Sequence, residues 1–171
     1  MTRAAKQRIN NAYIAYTKAK HPTLPDRALM SYKRTDNNAN GLTACIKDWL
    51  KFHGCQAERV NNMGRVTVRK NRFEVGIYGQ REVTVMDWQK GTGRKGTADI
   101  HATIPVQVNG QRFGLSVKLE VKYGKDRQSK DQREYQAEIE ATGGRYYIVK
   151  NFDQFLAIWD DLCKEFSIFT E

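Results

Sequence analysis

Two stretches in the second half of the chain alternate apolar and polar residues: TADIHATIPVQV (97–108) and QRFGLSVKLEVKY (111–123). Period-two alternation predicts half-buried strands, and the Asn109-Gly110 pair between them predicts a tight hairpin turn. In the second strand Leu115, Val117, Leu119 and Val121 face the core, and Ser116, Lys118, Glu120 and Lys122 face the other way. Elsewhere the apolar spacing changes to three and four. Leu42, Cys45, Ile46, Trp49 and Leu50 predict a helix over 41–54, with Gly54 at its C-terminal cap. Phe155, Leu156, Ile158, Trp159, Leu162 and Phe166 form the apolar stripe of a last helix, 151–166. Between these lie SKDQREYQAEIEATGG (129–144), a helix ended by glycines, and RYYIVK (145–150), a short buried strand.

The first half is less regular. Residues 3–19 predict a weakly amphipathic helix with Ile9, Ala12, Tyr13 and Tyr16 on one side, ended by the two prolines of HPTLPD. TDNNANG (35–41) is turn-rich and polar, a linker by composition. CQAERVNN (55–62) predicts a short strand. GRVTVRKNRFEVGIYG (64–79) predicts a hairpin turning at RKNR, REVTVMDW (81–88) a further strand, and QKGTGRKGT (89–97) a glycine- and lysine-rich loop. The expected architecture is an α/β domain over 41–171, with a mixed central sheet flanked by helices, and an N-terminal basic helical arm over 1–40.

Composition narrows the function. With 171 residues and a net charge of +10, the chain can bury a full core and attracts polyanions, most often nucleic acid. The charge is uneven. Residues 1–40 carry eight Lys/Arg against two Asp/Glu, and residues 151–171 carry one against five, so a bound polyanion is expected to avoid the last helix. The mean hydropathy is −0.71 and no apolar run approaches twenty residues, which argues against a membrane span. The N-terminus lacks a signal-peptide pattern, so an intracellular setting is expected. Cys45, Cys55 and Cys163 and the scattered His21, His53 and His101 form no zinc-binding spacing. No P-loop or dinucleotide-binding glycine motif is present.

The candidate chemistry gathers at Asp99, Glu120 and Lys122. Asp99 opens one strand of the hairpin and Glu120 sits on the other, so the two carboxylates can converge on one sheet face. Converging carboxylates repel unless a cation lies between them, and an all-oxygen pair suits Mg²⁺ or Mn²⁺. Lys122 shares the face of Glu120 and can reach a water or phosphate oxygen beside such an ion. That trio supports metal-assisted hydrolysis.

GTAD (96–99), EVK (120–122) and SKDQ (129–132) together resemble the G-x-x-D, E-x-K and S-x-x-Q series of the PD-(D/E)xK nuclease superfamily, in particular its VRR-NUC (virus-type replication-repair nuclease) branch. The resemblance runs from about Gly41 to Phe155. It implies a restriction-endonuclease-like core and a divalent-metal-dependent endonuclease acting on DNA, with flaps, junctions or ends among the structured substrates of the family. It implies that Asp99, Glu120 and the Val121 carbonyl bind Mg²⁺ or Mn²⁺, that Lys122 is the catalytic lysine, and that Gln132 points into the site. A homodimer and a phage origin are further implications. Relatives often carry a glutamate near the start of the first core helix, where NNANGLTACIKDW has no carboxylate before Asp48; Asp36, Glu58, Asn38 and Asn40 are the substitutes at hand. The alternative is a nucleic-acid-binding protein that keeps the fold and does not cut.

Some of these residues have a second reading. S-x-x-Q before an apolar helix face is also a capping box, and both roles can coexist in Ser129 and Gln132. Arg94 and Lys95, in the loop before Asp99, read as phosphate contacts, with Lys125 and Arg127 after the second strand. Arg65, with Arg69, Lys70 and Arg72 of the 64–79 hairpin, extends that basic footprint. His101 shares the face of Asp99 and reads as structural.

Overall fold

The computed structural model describes residues 1–60, 65–77, 79–89 and 93–168, with the side chains of 65, 69–76, 79–85 and 167 outside the description. In chain order the elements are α1 (Arg3–Lys20), a 3-10 turn (Asp26–Ala28), α2 (Ala39–Phe52), β1 (Gln56–Arg59), β2 (Arg65–Gly76), β3 (Gly79–Gln89), β4 (Ile100–Val108), β5 (Gln111–Val121), α3 (Lys130–Ala141), β6 (Arg145–Val149), α4 (Phe152–Glu165) and β7 (Ser167–Ile168). The main sheet has the order β1-β4-β5-β6, with β7 pairing to β4 beyond β1. β4 is antiparallel to β1 and β5, whereas β5 and β6 are parallel and α3 connects them. The fold is a mixed α/β domain with a mixed sheet, as the alternating patterns predict.

The β4–β5 hairpin turns at Asn109 (φ 51°) and Gly110 (φ 78°), the left-handed conformations that an Asn-Gly turn supplies. Ile100, Ala102, Ile104, Val117, Leu119 and Val121 point from this hairpin into the larger core. Leu42, Ile46 and Leu50 of α2, and Phe152, Phe155, Leu156, Trp159 and Leu162 of α4, complete it. Residues 1–40 contribute to the same core. Ile9 of α1 is fully buried, Ala5 and Tyr32 are buried beside it, and α1 packs on α2 and α4. The 35–41 segment is short in linker character: Asn38 caps α2, its side chain accepting from the Gly41 N–H at 2.8 Å. Asp36 is buried and accepts from the Phe152 N–H at 2.9 Å, which ties the segment to the start of α4.

One strand expectation changes. The 64–79 hairpin does not turn at RKNR: β2 runs on to Gly76 and pairs with β3 down to Gly76↔Gly79. The RKNR residues instead straddle a shift in pairing between Arg69 and Arg72. A bulge absorbs an extra residue without ending a strand, so polar composition alone mistook it for a turn. The polar face of β5 is covered as well. α3 lies over it, and Glu120 and Lys122 are buried there, only 2% and 6% exposed.

Candidate active site

Gly96 sets the entrance to the site. Its φ is +80°, and a Cβ there would lie 2.3 Å from the Asp131 carbonyl oxygen in the first turn of α3. The loop before Asp99 therefore packs directly on the helix that carries Gln132, an approach open only to glycine. Thr97 Oγ1 closes the loop by donating to the Arg94 carbonyl at 2.7 Å.

The register pairs Ile100 with Leu119, so Asp99 stands one step further, opposite Glu120. The Val60 N–H donates to the Asp99 carbonyl at 2.8 Å, extending the β1 ladder to this residue. The Val121 N–H donates to Asp99 Oδ2 at 2.8 Å. Among the described residues Asp99 Oδ1 has no hydrogen-bond partner. The two carboxylates and the Val121 backbone thus meet at the open end of the β4–β5 hairpin.

Glu120 is held on several sides. Lys122 Nζ lies 3.0 Å from Glu120 Oε1, and Gln132 Nε2 donates to the same oxygen. The Tyr146 hydroxyl, from β6, lies 3.5 Å from Oε2. Burial, and then the charge of Asp99, push the Glu120 carboxyl above its ordinary range against the opposing pull of Lys122. Burial works against the Lys122 charge, but its bonds to Glu120 and to Asp126 at 3.3 Å outweigh that and keep it a firm ammonium. Asp99 and Glu120 are the repelling pair expected from the sequence, with one cation already alongside.

Gln132 carries both roles suggested by its motif. Ser129 Oγ accepts from the Gln132 N–H at 3.2 Å, and Gln132 Oε1 accepts from the Ser129 N–H at 2.9 Å, a complete capping box. The remaining amide nitrogen reaches Glu120. α3 is seated by Tyr135, which packs with Ala98 and Tyr146 in a second small core.

His101 lies on the face of Asp99, as the sequence pattern predicts. The registers align Glu58, His101, Lys118 and Tyr146 across four strands, in the row beside Asp99 and Glu120. His101 Nε2 lies 3.2 Å from the Tyr135 hydroxyl with the rings stacked. Its contact is with the helix seat, not with the carboxylates.

The predicted basic residues divide. Arg94 makes a bidentate pair with Glu138 of α3 at 2.5 and 2.6 Å and lies over the Tyr135 ring, so it braces the loop on the helix. Lys95, Lys125 and Arg127 are exposed and form no ion pair among the described residues. Arg65 is paired with Gln89 in the ribbon, and its side chain, with those of Arg69, Lys70 and Arg72, lies outside the described residues.

Two of the four substitutes for a first-helix carboxylate, Asp36 and Asn38, have other partners, as does Asp48 further along α2. Asp36 caps α4, Asn38 caps α2, and Asp48 accepts from the Tyr32 hydroxyl at 2.8 Å and pairs with Arg34 at 3.1 Å. Glu58 sits in the row of His101, and Asn40 is exposed. Even so, the start of α2 adjoins the site: the Tyr123 hydroxyl, one residue past Lys122, donates to the Asn37 carbonyl at 2.8 Å. Among the described residues no group of three His, Cys, Asp or Glu side chains gathers as a metal cage. Two carboxylates with main-chain and water oxygens are nonetheless a usual donor set for Mg²⁺, and the unpartnered Asp99 Oδ1 beside the destabilised Glu120 charge fits that set.

No protein-family model, curated protein or solved structure matches the chain.

Proposed function

We propose that the chain is a divalent-metal-dependent endonuclease that hydrolyses DNA phosphodiester bonds on a restriction-endonuclease-like core, acting inside the cell. One observation carries the reading: Asp99 and Glu120 stand opposite each other on adjacent strands, with Lys122 Nζ 3.0 Å from Glu120 and Gln132 closing the site from α3. Asp99, Glu120 and the Val121 carbonyl would hold Mg²⁺ or Mn²⁺. When bound, such an ion polarises the phosphate and lowers the pKa of the attacking water.

The side chains then have separable tasks. The Val121 N–H fixes the Asp99 carboxylate, and Gln132 and Tyr146 fix that of Glu120. As the water oxygen bonds to phosphorus and the ester P–O bond breaks, negative charge grows on the phosphate oxygens. The Lys122 ammonium stabilises that charge, because its bonds to Glu120 and Asp126 keep it protonated. Lys95, Lys125 and Arg127, exposed before and after the catalytic strands, bind phosphates along the strand being cut.

A second reading has its own support. The carboxylates near the first core helix, Asp36 and Asp48, already have partners, which favours a DNA-binding protein of the same fold that does not cut.

Incubation with labelled duplex, flap and four-way-junction DNA decides between them, with Mg²⁺ or Mn²⁺ against chelator. Cleavage is expected only with metal, and is lost in Glu120→Gln and Lys122→Ala. Metal should also raise the melting temperature of the unmodified protein and not that of Asp99→Asn; an ion at a hundred times its Kd contributes about 2.7 kcal/mol. Salt-sensitive binding without cutting selects the second reading, and absence of DNA binding removes both. Sedimentation tests the homodimer that paired cuts on two strands would require.

A further inference from the structure

The β2–β3 ribbon stands outside the main sheet, and among the described residues it packs on no other element. Twelve residues at about 3.3 Å each span roughly 40 Å, near the pitch of one turn of duplex DNA, about 34 Å. A lone two-stranded ribbon is marginal in water, so its faces need cover. One face is apolar. Val66 pairs with Trp88 and Val68 with Met86, and these side chains are 53%, 65%, 53% and 72% exposed. At the tip, Ile77 is 99% exposed.

Charge and connectivity indicate what covers them. The ribbon, residues 65–89, carries five Lys/Arg against three Asp/Glu, on a chain of net charge +10. A second copy would set like charge against like, whereas a polyanion is attracted. Both ends of the ribbon also lead to the candidate site. β1 before it ends at the Val60 N–H bonded to Asp99, and the chain after β3 leads through 93–98 into Asp99 itself. We propose that the ribbon is a nucleic-acid-binding arm whose apolar face is covered by DNA bases displaced from their stack. Bases stack on Trp88 and cover Val66, Val68 and Met86, while Ile77 wedges between base steps. Apolar wedges and single aromatic platforms both bind bases in this way without reading sequence. This rests on the DNA-binding part of the reading above and not on cleavage.

The test uses the full chain in chelator, so that no cutting intervenes. The probes are a labelled duplex carrying a single-stranded flap and a blunt duplex of equal length. Trp49 and Trp159 are buried, so quenching of tryptophan fluorescence by DNA reports Trp88. Quenching is expected with the flap probe. Trp88→Ser and Ile77→Asn should each weaken flap binding about tenfold, and blunt-duplex binding less. Both positions are exposed, and unchanged melting curves confirm that the variants fold. Equal binding by variants and unmodified protein overturns the proposal even if cleavage with Mg²⁺ proceeds. So does a dimer in sedimentation that Trp88→Ser dissolves without affecting DNA binding, since a second copy then covers the face. Trp88-dependent binding by a protein that never cuts upholds the arm and removes the nuclease.

Discussion

Gln132 donates its amide nitrogen to Glu120 and accepts the Ser129 N–H on its amide oxygen, so one side chain both caps α3 and braces the buried carboxylate. The two jobs separate by substitution. Ser129→Ala removes a cap acceptor and should cost about 1 kcal/mol of stability, with cleavage preserved. Gln132→Glu keeps an acceptor for the Ser129 N–H but sets a second carboxylate against Glu120. The lost donor and the added like charge should lower the melting temperature as well, and should lower cleavage far more than Ser129→Ala does. Melting curves beside single-turnover cleavage rates for both variants check this; equal loss of activity in both would reduce Gln132 to a cap.

Gly96 and Asp131 make the second tight contact of the site. Gly96→Ala combines a positive φ with a Cβ 2.3 Å from a backbone oxygen, so the loop must leave the helix. A cost of about 1–3 kcal/mol is expected from the strain. Activity should fall as well, because the same loop delivers Asp99. Gly54, also at positive φ (69°) but with open space around it, is the control: Gly54→Ala carries the backbone cost alone and spares activity. Urea unfolding and cleavage rates of the two variants test this, and equal effects on activity would sink it.

Much of this arrangement was legible because it is local. Alternation and the Asn109-Gly110 turn define β4 and β5, and their register brings Asp99 to Glu120 without further information. What was not legible depends on long-range packing. A strand pattern says that Glu120 and Lys122 leave the main core. It does not say that α3 then covers them. Arg94 reads as a phosphate contact from its loop, and its pair with Glu138, 44 residues away, is not legible there. The ribbon was misread for a local reason: the polar RKNR run interrupts the alternation on both sides of it, and a bulge leaves the same pattern as a turn.

His53 links stability to pH. Its ring stacks on Trp49 at 4.3 Å between centroids and lies 5.1 Å from that of Trp159, and its Nδ1 is 2.8 Å from the Trp49 carbonyl. Burial, then the nearby Arg8, hold it below its ordinary pKa against that hydrogen bond. The folded chain therefore binds fewer protons here than the unfolded chain as pH falls below about 6.5. Stability should fall with pH through that window and level off below the depressed folded value, with a slope of at most about 1.4 kcal/mol per pH unit. His53→Phe keeps an aromatic stack and removes the proton site. Denaturant titrations from pH 7.5 to 5 should show a shallower loss in the variant, and parallel curves would exclude His53 as the source.

Residues 1–40 were expected as an arm, and Ile9 gives the sharpest measure of how far they belong to the core. It is fully buried in the cluster shared by α2 and α4, while Arg8 beside it forms a bidentate pair with Asp160 of α4 at 2.6 and 2.8 Å. The exposed ion pair contributes little, about 0–1 kcal/mol, whereas truncating a buried isoleucine costs about 2–5 kcal/mol. Ile9→Ala should therefore destabilise the whole domain several-fold more than Arg8→Gln. Because α1 packs on α4, which in turn packs on β6 behind Tyr146, the loss should appear as one cooperative transition. Unfolding followed together by far-UV circular dichroism and by the buried tryptophans checks it. A variant in which only α1 detaches, with the tryptophan transition unmoved, would restore the arm.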